Sequence, residues 1–325
     1  MAVRRSGCEH FLLIATLAIP TLGEGQTAPR LPESDRVRLA EAFRVADRVR
    51  AGVWPGWERT PMAVLLVADS FEYLVGHPRP TSDFVPLGRD SMLGRDVLAR
   101  PRRFPSTLLA TFPAVGGTAT IVVGSAERTG KSSAQWVLTL LHEHFHQWQS
   151  SLPEYYARAD DLGLARGDTT GRWMLDYPFP YDSVPVQRAV RAFAVSLARM
   201  EPLESVTRQR QALRRTLSPD DDRYLEFQLW QEGVPRYLEI AVAEAAGGAG
   251  EPAEGFRRLP DYERYADLAK RLRRELGSEL AELNLGEEKR VAFYSIGAGV
   301  AALLDRSHGS WKRRYEERLF TLLSP

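Results

Sequence analysis

Apolar residues recur at every third place between residues 34 and 52, at Val37, Ala40, Phe43, Ala46 and Val49, with Ser34 placed as a cap. That spacing predicts an amphipathic helix burying one stripe. Short apolar runs follow, Met62 to Ala68, Phe71 to Val75 and Thr118 to Val123, separated by Pro and Gly, and these predict strands. Beyond about residue 131 the periodicity is almost wholly helical. Between Lys131 and Gln149, Ser132 and Gln135 have capping-box spacing, and Val137, Leu140, Leu141, Phe145 and Trp148 form an apolar stripe that Pro153 ends. The stretch Val291 to Leu304 is apolar but too short to span a bilayer, so it predicts a buried core helix. Strands first and helices afterwards predict an α+β fold, with a small N-terminal mixed or antiparallel sheet and a mainly helical C-terminal part.

The first residues do not fit this pattern. Arg4 and Arg5 precede an apolar run from Phe11 to Leu22, and small or polar residues follow through Gly23, Gly25 and Ala28. This is the order of a secretory signal peptide, here residues 1–28, with cleavage between Gly23 and Ala28 and one domain over residues 31–325. The expected location is therefore outside the cytoplasm, secreted or periplasmic, with no membrane span left after cleavage. The only cysteine, Cys8, lies inside the signal, so the mature chain has neither a disulfide nor a thiolate ligand. A net charge of +1 supplies no field that would gather nucleic acid or anionic lipid. Any metal must be held by His and carboxylate.

Three of the six histidines sit together in His142-Glu143-His144-Phe145-His146, on the predicted helix. A spacing of four puts His142 and His146 on one side, one turn apart, where both can reach a single zinc ion. Glu143, one step round, lies beside the metal and is positioned as the base that takes a proton from water attacking a carbonyl. His144 points away from that pair, as a supporting or solvent-facing residue. Catalytic zinc usually takes three protein ligands and keeps one position open. No third histidine follows at close range, and His308 stands alone in Ser307-His308-Gly309-Ser310, which leaves a glutamate. The strongest candidate lies in Trp230-Gln231-Glu232-Gly233-Val234-Pro235-Arg236-Tyr237-Leu238-Glu239.

In these motifs the chain resembles the gluzincin zinc metallopeptidases, and in particular the catalytic core of the aminopeptidase N family. That family carries Asn-Glu-Gly-Phe-Ala-x-Tyr-x-Glu on a second helix, and its first Glu ligates zinc. Glu232, Gly233, Tyr237 and Glu239 match it in register, so the resemblance implies that Glu232 is the third ligand and gives Glu239 at most a supporting part. Departures are Gln231 in place of Asn, and Pro235-Arg236, which would bend or restart the helix. Further on, Phe293-Tyr294-Ser295-Ile296-Gly297-Ala298 is similar to the family's Tyr-x-x-Gly-Ala segment, which implies that the Tyr294 hydroxyl stabilises the oxyanion. The family's Gly-Ala-Met-Glu-Asn segment has no counterpart: Gly116 to Gly124 contains no acid, so aminopeptidase specificity is not implied. Thr118 to Val123 is either an edge strand that pairs with substrate or an ordinary core strand. The resemblance implies a zincin-like domain hydrolysing peptides with zinc, Glu143 and Tyr294. The alternatives are a zinc hydrolase of non-peptide amides or esters, and a non-catalytic exported protein using zinc for structure.

Overall fold

The computed structural model describes residues 29–307 and 309–323. The proposed signal with Cys8, and His308, lie outside them. From Leu31 onward the chain forms one unit. Helix α1 runs Glu33–Val53, starting ahead of the expected cap, because Pro32 takes the capping position and its carbonyl receives Arg36 N at 2.9 Å. Proline suits a helix start, where its missing N–H is not needed. Ser34 is therefore already inside the helix.

Six strands follow: β1 (Val64–Val67), β2 (Phe71–Val75), β3 (Val85–Asp90), β4 (Arg95–Pro101), β5 (Leu109–Val115) and β6 (Thr118–Gly124). They form one mixed sheet in the order β3-β4-β2-β1-β6-β5, with β1 and β6 parallel and every other pair antiparallel. Alternation sorts the strand residues onto two faces. Val64, Leu66, Tyr73, Val75, Ile121 and Val123 join the main core under the helices. Leu65, Val67, Leu74 and Val122 pack on the other face with Phe84 and Val115, against Phe104, Leu108 and Phe112. The strand β6 is paired on both sides, so Thr118 to Val123 is interior; the edge on this side is β5.

The remainder is helical: α2 (Ser133–Ser151), α3 (Tyr155–Asp161), α4 (Trp173–Asp176), α5 (Val184–Ala198), α6 (Leu203–Arg214) and α7 (Pro219–Gln228). A π-helical turn over Leu229–Gly233 leads into α8 (Val234–Gly248), and then come α9 (Glu254–Arg257), α10 (Tyr265–Glu282), α11 (Leu285–Glu288), α12 (Ala292–Ser307) and α13 (Trp311–Glu317). The expected capping box of α2 is present, Ser132 accepting from Gln135 N and Gln135 from Ser132 N. Polar pins fix α2 on the sheet: Trp136 Nε1 donates to Gly124 O at 2.8 Å, Gln147 Nε2 to Ala63 O and Ala119 O at 3.0 and 2.8 Å, and Thr111 Oγ1 to Glu143 O at 3.0 Å. Behind it, Trp54 packs edge-on to Phe145, Trp148, Trp311 and Tyr315. Core helix α12 buries Phe293, Ile296, Gly297, Ala298, Val300 and Ala301. No helix of the described residues is long and apolar enough to cross a membrane.

Candidate metal centre

Two helices crossing at close range build the site. One carries His142 and His146 on α2; the other supplies Glu232 from the π-helical turn before α8. Such a turn widens the helix by one residue and re-aims its side chains, and it is common at functional sites. His146 Nε2 lies 3.4 Å and His142 Nε2 3.9 Å from Glu232 Oε2, and the three ligand atoms all fall within 4.8 Å of one another. Ligands at about 2.05 Å around a tetrahedral zinc stand about 3.3 Å apart, so small side-chain shifts would close the cluster on an ion. Among the described residues this group has three members and no fourth acid or histidine.

Each imidazole is oriented from behind. His142 Nδ1 donates to Glu239 Oε1 at 2.8 Å, and His146 Nδ1 to Gln149 Oε1 at 2.6 Å, which turns both Nε2 atoms towards Glu232. Glu239 in turn is gripped by Arg236, which also reaches Glu279, and Glu279 accepts from Ser295 of α12. This chain of groups ties α2, α8, α10 and α12 together.

The electrostatics favour a cation. Burial resists charge on His142, yet its bonds to Glu232 and Glu239 and the nearby Glu143 outweigh burial and push its pKa up to about 10. Burial likewise resists charge on Glu232, but His146 and His142 hold it well below the usual carboxylate range. Glu143 Oε2 is buried and bonds to nothing in the protein. A buried carboxylate oxygen without a partner is costly unless a ligand or water meets it. The donor types, their convergence and this oxygen all fit a bound metal cation.

His144 does not face solvent. It is fully buried, with Nδ1 on Gln147 Oε1 at 3.0 Å, Nε2 accepting from Arg50 Nη1 at 3.1 Å, and Trp57 against its ring. Burial lowers its pKa to about 3, with Arg50 adding to the effect, so it stays neutral and serves packing.

Tyr294 lies beside the ligands, its ring 6.4 Å from that of His142 and nearly parallel to it. Its hydroxyl accepts from Arg290 Nη1 at 2.9 Å, and burial together with Glu232 pushes its pKa upward, so the phenol keeps its proton and can donate it. The crossing of α12 over the π-helical turn sets this position. A Cβ on Gly233 would lie 2.3 Å from Gly297 Cα, and one on Gly297 would lie 2.6 Å from Gly233 Cα, so only two glycines allow the backbones this close. Gly233 follows Glu232 directly, and Gly297 follows Tyr294 by three residues, so the contact registers ligand and phenol together.

Sequence reasoning passed over Gln149 and Arg290 and underrated Glu239. Gln149 was within reach of it, since residues three apart on a helix share a face and His146 precedes it by three. Arg290 had no local signal. A cavity of about 270 Å³, lined in part by Leu197, Ile240, Leu276 and Leu303, contains none of the three ligands. Comparison of the chain with protein-family models, with curated proteins and with solved structures gave no match.

Proposed function

We propose that this chain is an exported zinc metallohydrolase that cuts peptide bonds, with a zincin-like domain of the gluzincin type. The observation that supports it most is the convergence of His142, His146 and Glu232 ligand atoms next to Glu143, whose buried Oε2 has no partner. Zinc held there would draw charge from a substrate carbonyl and ease proton loss from water. Glu143 Oε2 then receives that proton and passes it to the leaving amine. The Tyr294 hydroxyl donates to the negative charge growing on the carbonyl oxygen, while Arg290 braces the phenol. Glu239 and Gln149 keep the imidazoles aimed throughout.

Two observations favour this reading over its rivals. A structural zinc site closes on four protein ligands, and this cluster offers three. The edge of β5 runs beside α2, where Thr111 bonds Glu143 O, and a free strand edge favours an extended peptide over a compact ester.

Elemental analysis and peptide hydrolysis test the proposal together. Purified protein should hold about one zinc per chain, and Glu232→Ala or a His142/His146 double variant should lose it. Glu143→Gln should keep zinc and fold while turnover falls by roughly two to four orders of magnitude. Zinc retained by the double variant sinks the site, and near-normal turnover by Glu143→Gln sinks the mechanism.

A further inference from the structure

Arginines in this fold are usually answered by acids of their own. Arg236 has Glu239 and Glu279, Arg210 has Asp222 and Glu226, and Arg271 has Glu263 and Glu275. Arg290 is different. The one carboxylate within ion-pair reach of it among the described residues is Glu232, 3.6 Å from Nη1, and Glu232 belongs to the metal cluster. Once that carboxylate spends its charge on a cation, Arg290 has no counter-charge. Its other neighbours are phenols: Tyr294, whose ring centroid is 5.3 Å from the guanidinium carbon, with Tyr224 and Tyr181 close enough to feel its charge. Phenols are ordinarily uncharged near neutral pH, so none of the three supplies a counter-charge.

The free donors of Arg290 are available to a ligand. Its side chain is 22% exposed, Nη1 alone is engaged, and neither Nε nor Nη2 is among the buried nitrogens lacking a partner, so both are reached by solvent. The backbone is bent to hold it there. Lys289, directly before it, has φ 52° and ψ −129°, a conformation that side-chain-bearing residues avoid and that is typically kept where function requires it. The ion pair from Lys289 Nζ to Asp182 Oδ1 at 2.6 Å secures the bend.

We propose that Arg290 is a substrate subsite for a carboxylate close to the bond being cut, presenting Nε and Nη2 as a fork beside the Tyr294 phenol. The proposal rests on the hydrolase reading of the metal cluster and names the class of substrate it takes: a peptide bearing a carboxylate at or next to the new amino end. That carboxylate is either the chain terminus or an acidic side chain. A planar guanidinium suits it because it grips a carboxylate with two parallel hydrogen bonds.

Binding to zinc-loaded Glu143→Gln protein tests this without depending on turnover. The probes are acetyl-Ala-Ala-Ala as free acid, the same peptide as C-terminal amide, and acetyl-Ala-Glu-Ala amide, titrated by calorimetry. The free acid or the glutamyl amide should bind at least about tenfold tighter than the neutral amide, the scale of a charge-assisted contact. Which of the two gains shows whether the carboxylate comes from the chain end or a side chain. Arg290→Met in the same background should erase the difference, and Arg290→Lys should restore part of it, with zinc content and melting temperature confirming that both variants are folded. Equal affinity for charged and neutral peptides, discrimination that survives Arg290→Met, or no measurable binding of either charged peptide overturns the subsite. Hydrolysis by the wild-type protein is scored separately: cleavage without discrimination defeats the subsite alone, and discrimination without cleavage defeats the hydrolase reading alone.

Discussion

Replacing Gly297 by alanine adds one methyl group where the backbones of α12 and the π-helical turn meet. The new Cβ would lie 2.6 Å from Gly233 Cα and 2.7 Å from Leu229 O, both backbone atoms that no rotamer change can move aside. Ordinary carbon contacts are about 3.5 Å or more, so α12 and the π-helical turn must part by about 1 Å. Overpacking of this kind costs about 1–3 kcal/mol, and the gain of alanine over glycine in a helix offsets up to about 1 kcal/mol of it. A net loss of about 1–2 kcal/mol corresponds to a melting temperature lowered by a few degrees in a domain this large. Function should suffer more than stability. Gly233 adjoins Glu232 and Gly297 lies one turn past Tyr294, so the same displacement separates phenol from ligand, and a 1 Å misplacement at a reacting centre costs about a hundredfold in rate. Gly277→Ala on α10 is the control, since a Cβ there meets nothing within 4 Å and should be neutral or stabilising. The measurements are melting curves, zinc content and peptide turnover for both variants. Wild-type melting and turnover in Gly297→Ala would refute the claim that the glycine pair registers the site.

On the proposed mechanism the hydroxyl serves charge that exists mainly in the transition state, so Tyr294→Phe should keep zinc and fold while kcat and kcat/KM fall together by roughly a hundredfold; an unchanged kcat returns Tyr294 to plain packing. Asp35 tests the electrostatics of the α1 terminus. Burial pushes its carboxyl from 3.8 up to about 6 despite Arg38. The folded chain then holds a proton that the unfolded chain releases, so this group's contribution to stability is full below about pH 4 and is lost as pH rises through 6. Asp35→Asn should therefore gain on wild type between pH 4 and pH 7 by up to about 3 kcal/mol in urea unfolding; a difference that stays flat across that window removes the buried, protonated Asp35.

Local patterns were readable wherever the cause was local. The α2 helix has its cap, stripe and stop in one short stretch from Ser132 to Pro153, and the spacing of four in His142 and His146 alone puts them on one face. Strands β1, β2 and β6 read as apolar runs because they lie in the middle of the sheet. The strands β3, β4 and β5 escaped, since exposed positions, Gly88, Pro86 and Pro113 break their pattern, and proline is tolerated on β3 and β5 because both are edges. Which strand is the edge depends on pairing, and Thr118 to Val123 is interior because β5 folds back onto it. Glu232 could be singled out only through resemblance. What brings it to the histidines is packing between segments 85 residues apart, and no window of sequence records that. His144 shows the same limit: spacing told that it turns away from the pair, but Trp57 and Arg50, which bury it, come from elsewhere in the chain.

Pro235, the departure that most disturbed the match to a family motif, accounts for the way the site is held. Proline has no N–H, so in a regular helix Gln231 O would lose its partner, and in a π-helical turn Trp230 O would lose its own. Both carbonyls are satisfied from outside the helix: Gln149 Nε2 donates to Trp230 O at 3.2 Å and to Gln231 O at 3.1 Å, and Tyr315 OH donates to Trp230 O at 2.8 Å. With its amide nitrogen committed there, Gln149 can present only Oε1 to His146, and a carbonyl oxygen accepts a proton but never donates one. Against Gln149 Oε1 at 2.6 Å, His146 carries its hydrogen on Nδ1 and keeps the Nε2 lone pair on the side of Glu232, in competition with Gln231 Nε2, which lies 3.1 Å from the same Nδ1. The residue that interrupts the helix bearing Glu232 is thus linked to the orientation of His146 through Gln149. A metal ion joining Nε2 of His146 to Glu232 would close that loop from the opposite side.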